Sequence, residues 1–149
     1  MPSPYESADL IMKLYELRRE PTMREARTWF ALSFNPESAD EVARTMAGPN
    51  SAHFRMVTSY WDMAASFVTN GAIDEKMFTD ANGEHLVVFA KVEPFLAEHR
   101  SRMGSQAFMA NLEKLIMKQP NAKEGLATIR ERFRQIAAAR PTGQAAGAR

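Results

Sequence analysis

Apolar residues recur along this chain at intervals of three and four, the spacing that lines up one face of an α-helix. Leu10, Ile11, Leu14 and Leu17 share a face of a first segment, residues 4–19. Ala26, Trp29, Phe30 and Phe34 do so over 23–34, before Asn35-Pro36 stops the run, and Val42, Ala43 and Met46 over 39–47, before Gly48-Pro49. Over 52–69 the stripe of Phe54, Val57, Trp61, Ala64 and Val68 is widened by Tyr60 and Phe67. A helix apolar over so much of its circumference belongs inside a bundle. Later segments repeat the pattern: Phe108, Met109, Leu112, Leu115 and Ile116 over 105–118, and Leu126, Ile129, Phe133 and Ile136 over 122–139, with Pro120 between them.

Polar punctuation agrees with this reading. Ser3-Pro4-Tyr5-Glu6 combines a capping serine, a proline at the first helical position and a glutamate three residues on. Thr22 to Glu25 and Ser38 to Glu41 repeat that box, and Asn121 to Glu124 is a looser version. Asn70-Gly71 can supply the left-handed turn that ends a helix, with Ile73 folding back and Asp74 capping the next short helix. His85-Leu86-Val87-Val88-Phe89 has the composition of a strand, and Asn82-Gly83 before it resembles a hairpin turn. A strand needs a partner, and no second β-rich run exists, so a helix over 84–103 is expected, kinked near Pro94 and ended by Gly104. The expectation is a single all-α domain, residues 1–139: an irregular bundle of about six or seven helices around the 52–69 helix. Residues 140–149, without a large apolar side chain, read as a flexible tail.

Composition narrows the chemistry. A chain of 149 residues is long enough for one real core. It has no cysteine, which excludes disulfides, a thiolate nucleophile and sulfur-ligated zinc. No apolar stretch approaches the ~20 residues of a membrane-spanning helix, and the start of the chain shows no secretory pattern, so a cytoplasmic location is the expectation. Charge is uneven: residues 1–112 carry 11 Lys/Arg and 15 Asp/Glu, residues 113–149 carry 8 and 3.

The combination Trp61-x-Met63-Ala64, Gly71-x-Ile73-Asp74, Val92-Glu93-Pro94 with Arg100, and Phe108-x-x-x-Leu112-Glu113 resembles an uncharacterised bacterial family of helical proteins, one of the domains of unknown function. The resemblance spans about residues 40–118. It implies a helical fold and a bacterial source. The family has no established activity, cofactor or catalytic residues, so the resemblance places no site on this sequence.

Candidate chemistry is sparse. His53, His85 and His99 lack a second ligand three or four residues away, so they read as solvent-exposed or capping histidines, and no metal or other cofactor is expected. No phosphate loop or nucleophile elbow is present, and no catalytic residue is assigned. Asp62, a carboxylate inside an apolar segment, reads as pointing outward or pairing with a basic residue. Trp61, Glu93 and Arg100, near the Pro94 kink, are candidates for a small-ligand or enzyme pocket, against a plain reading as core and helix-tying ion pairs. Arg130, Arg132 and Arg134 beside the apolar face of the last helix are candidates for binding a polyanion, either nucleic acid or an acidic membrane surface. The leading expectation is a non-enzymatic protein that acts through protein contacts or as a homodimer.

Overall fold

The computed structural model describes residues 1–140. The described chain is all-helical: α1 (Pro4–Arg18), α2 (Pro21–Leu32), α3 (Ala39–Ala47), α4 (Ser51–Thr69), α5 (Glu75–Ala81), α6 (Glu84–Val92), a 3-10 turn (Glu93–Phe95), α7 (Leu96–Met103), α8 (Ala110–Met117) and α9 (Ala122–Ala139). No residue of it forms a strand. The tail expected over 140–149 falls, from residue 141 on, outside the described residues.

Local signals set most of the helix ends. The Ser3 box is complete: Glu6 N–H donates to Ser3 Oγ, and Ser3 N–H donates to Glu6 Oε2. At α3 the box is only half made, because the Ser38 hydroxyl receives Glu41 N–H while the Glu41 carboxylate turns to Glu37 N–H. Two expected starts are corrected. α2 begins at Pro21, with the Glu20 carboxylate receiving the amides of Thr22 and Met23. Proline at the first helical position fixes that start upstream of Thr22. α8 begins at Ala110 rather than near Ser105, after Met109 takes a left-handed φ of 56°.

α4 is the central helix. α2 and α8 pack along it, and α3, α5 and α6 also touch it. Phe54, Val57, Trp61, Ala64 and Ala65 are closed off from solvent. Gly71 ends this region at φ 81°, the amides of Ala72 and Ile73 return to the Phe67 carbonyl, and Ile73 enters the core. Asp74 then caps α5 through Met77 N–H. The strand-like run 85–89 is helical, with His85, Val88 and Phe89 buried and Leu86 and Val87 half-buried, since α6 lies between α9 and the α2/α4 side of the bundle. Pro94 breaks the long helix expected over 84–103 into α6, the 3-10 turn and α7. On α1 the buried residues are Ser7, Ile11 and Leu14, whereas Leu17 is 55% exposed and does not join them. At 100° per residue the line from Ile11 and Leu14 continues to Arg18, not to Leu17.

Candidate functional site

Trp61, Glu93 and Arg100 enter three separate sets of contacts. Trp61 lies in the core, edge-on to Tyr60 and beneath the Arg18 guanidinium, 5.2 Å from its ring centre. Glu93 faces Arg130 across 3.5 Å. Arg100 is buried; its Nε and Nη2 donate to the Phe108 carbonyl, and its Nη1 donates to Glu113 at 3.0 Å. Arg100 thus holds the irregular segment ahead of α8 in place. None of the three lines the clefts described below.

Two of the α9 arginines, Arg130 and Arg134, line one small hollow beside Lys91, Asn35 and Pro36, which Arg132 does not join. Arg130 donates to the Ala90 carbonyl at 2.8 Å, Arg134 lies 3.8 Å from Glu131, and Arg132 is exposed. Asp62 neither points away nor pairs with a base. Its carboxylate receives the backbone amides of Asn111 and Leu112, both at 2.9 Å, and the Asn111 side chain at 3.1 Å. It caps α8 from across the bundle, serving amides that no residue of α8 can reach.

Sequence reasoning missed Lys91. This residue is 3% exposed, and its Nζ donates to the carbonyls of Phe30, Ala31 and Phe34, each at 2.8 Å. The ammonium closes the C-terminal end of α2, where free carbonyls and the helix dipole both favour a cation. Phe133 of α9 covers it, with its ring centre 5.0 Å from Nζ. Burial pushes the Lys91 amine down to about 7. The three carbonyls pull the other way, because only the ammonium form has a hydrogen for each. The available signal was a lone cation inside the apolar run Leu86 to Val92.

Two histidines are also corrected. His85 and His99 are interior residues, neither exposed nor capping. His85 is 2% exposed and packs between Trp61 and Phe78, with ring centres 5.9 and 5.2 Å away. Its Nδ1 is enclosed without a hydrogen-bond partner, and burial pushes the imidazole down to about 4. His99 packs edge-on against Phe108, neither ring nitrogen has a partner, and burial followed by the Arg102 charge lowers it too. The signal lay in spacing: His85, Val88, Phe89 and Val92 form a helical stripe of their own.

Several clefts cut the surface of the described residues. One of about 670 Å³ runs between α5, α6 and α8, with Leu86, Leu115, Ile116 and His85 among its lining. A second, of about 540 Å³, contains Met46, Met103 and Met109, and a more polar third, of about 360 Å³, lies by Trp29 and Asn50. Among the described residues no group of three or more His, Asp or Glu side chains could hold a metal ion.

The outward flank of α1 is apolar. Tyr5, Met12 and Tyr15 are 80%, 57% and 44% exposed, and Ala8 is exposed between them. At 100° per residue these four positions fall within about 80° of arc. Their intervals are three, four and three residues, so the stripe reads alike in both directions. Arg18 and Arg19 sit by the Tyr15 ring at 5.3 and 5.5 Å. The buried face is anchored: Ser7 Oγ receives Asp74 N–H, and the Tyr60 hydroxyl donates to the Leu14 carbonyl.

These features define an all-helical, single-domain protein whose buried polar groups are largely spent on its own backbone. The chain belongs to the family described as domain of unknown function DUF4760, which matches it over residues 5–119. The match reaches well upstream of the 40–118 resemblance and takes in α1 to α3, whereas α9 lies beyond it. No curated protein and no solved structure matches the chain. No helix of the described residues is long and apolar enough to cross a membrane.

Proposed function

We propose that the protein works through protein contacts as a homodimer, with α1 of one copy packed antiparallel on α1 of the other. The observation that carries this is the exposed stripe of Tyr5, Ala8, Met12 and Tyr15. A two-fold axis beside residue 10 sets Tyr5 against Tyr15 of the second copy and Ala8 against Met12, small against large. Two-fold interfaces use one self-complementary patch twice, and a palindromic stripe is such a patch. Exposed tyrosine and methionine are the side chains that interfaces favour. One helix face covers less than the ~800 Å² per partner of a stable interface, so the dimer is weak and exchanges, with a Kd on the order of micromolar or above.

Sedimentation of the full chain tests this. The wild type shifts from monomer to dimer as concentration rises from about micromolar to about millimolar. Met12→Glu stays monomeric over that range, and because residue 12 is exposed its folding stability changes by less than about 0.5 kcal/mol. A wild type that remains monomeric throughout, or a variant that associates equally well, contradicts the proposal.

A further inference from the structure

The cleft between α5, α6 and α8 carries a second inference, independent of the α1 dimer. Its volume of about 670 Å³ falls within the range of small-molecule sites. Leu86, Leu115 and Ile116 give it apolar walls, and Thr79, Asn82 and Gln119 lie among its polar lining. Its charges are already matched: Glu75 is paired with Lys118, and Lys76 with Asp80. Asn82 is spent too, receiving Arg18 and donating to the Phe78 carbonyl.

His85 is the exception. It lines the cleft, it is almost wholly buried, and its imidazole makes no hydrogen bond to any described residue. A buried polar group is normally satisfied, so a native exception calls for a partner. With Nδ1 enclosed, Nε2 is the ring nitrogen left for an occupant of the cleft. We propose that this cleft binds an uncharged, ring-bearing small molecule whose hydroxyl group hydrogen-bonds His85 Nε2 while its body rests on Leu86, Leu115 and Ile116.

The chemistry selects that class. Neither sign of charge finds an unpaired counter-ion among the acids and lysines lining the cleft. The imidazole stays neutral at pH 7, so it offers no ionic attraction to a carboxylate or phosphate. A neutral imidazole nitrogen either donates or accepts according to tautomer, and a hydroxyl answers both. An apolar ring gains from the walls in proportion to the area it covers.

The test is a titration of the full chain with 4-methylphenol, benzoate and benzylamine, followed by imidazole and amide resonances. The phenol shifts the His85 ring signals together with the amides of Leu86 and Ile116 and saturates in the millimolar range. The two charged probes bind at least tenfold more weakly. Thr79→Trp, which fills the mouth from an exposed position, abolishes the phenol shifts while the remaining spectrum is kept. His85→Phe weakens phenol binding at least fivefold but leaves toluene binding unchanged. Equal binding of all three probes, phenol binding that survives Thr79→Trp, or no saturable shift with any neutral probe overturns the proposal. If His85→Phe fails to fold, the probe comparison and Thr79→Trp decide the question alone.

Discussion

Replacing Lys91 by methionine lowers folding stability by about 3 kcal/mol, from the known cost of leaving buried acceptors unpaired. The stem of the side chain and its packing are kept, so the loss isolates the ammonium. Methionine leaves the carbonyls of Phe30, Ala31 and Phe34 without their donor at the buried end of α2. Burial works against the charge, as the fall of the amine to about 7 shows. That recovered desolvation is why the expected loss is nearer one strong network than the sum of three bonds. For a chain of this size the midpoint of thermal unfolding drops by roughly 6–12 °C. Urea unfolding of the two proteins at pH 7 measures it. A difference below about 1 kcal/mol would show that water serves those carbonyls equally well.

Acid destabilises the protein before its carboxylates titrate. His85 has its folded value pushed down to about 4 by burial, against about 6.5 in the unfolded chain. Below pH 6.5 the unfolded chain therefore takes up a proton that the folded chain refuses. Stability is level above that point, falls as pH drops towards 4, and levels again for this group once both states are protonated. Between pH 7 and 4.5 the His85 contribution is a loss on the order of 2 kcal/mol. His99 adds to it in the same direction, because it too is lowered by burial. His85→Phe removes the first part, so its stability falls less steeply over the same interval. Denaturant midpoints at pH 7 and pH 4.5 for both proteins read the difference; parallel slopes would mean that buried His85 finds a proton acceptor on folding.

The helical class was legible because its signals are local. Ser3, Gly71 and Asp74 act within a few residues of themselves, and each marks the boundary it advertises, whereas the box expected at Thr22 gives way to a start at Pro21 capped by Glu20. The conversion of the run at 85–89 to helix was also legible, from the absence of any second strand. What could not be read depends on partners far along the chain. Lys91 meets carbonyls about 60 residues away, and Asp62 caps amides about 50 residues away. Periodicity shows that such residues sit on a buried stripe but not which backbone groups they will find there. α1 fails differently. It carries two apolar stripes, and a single-face reading merged Leu17 with the buried one while passing over Tyr5, Met12 and Tyr15. The ligand and polyanion candidates were chosen by residue type. Geometry sends Arg100 to Phe108 and Glu113, and Arg130 to Ala90 and Glu93.

Because the chain has no cysteine, introduced thiols can report directly on the pairing of α1. Tyr5→Cys and Tyr15→Cys are prepared separately, mixed and mildly oxidised. In an antiparallel pair residue 5 faces residue 15 of the second copy, whereas two copies of residue 5 are offset by about 15 Å along the helices. A disulfide-linked species that forms rapidly in the mixture and slowly in either variant alone is the result the antiparallel dimer requires. Equal rates in the mixture and in the separate variants, or no cross-link at millimolar protein, would contradict it.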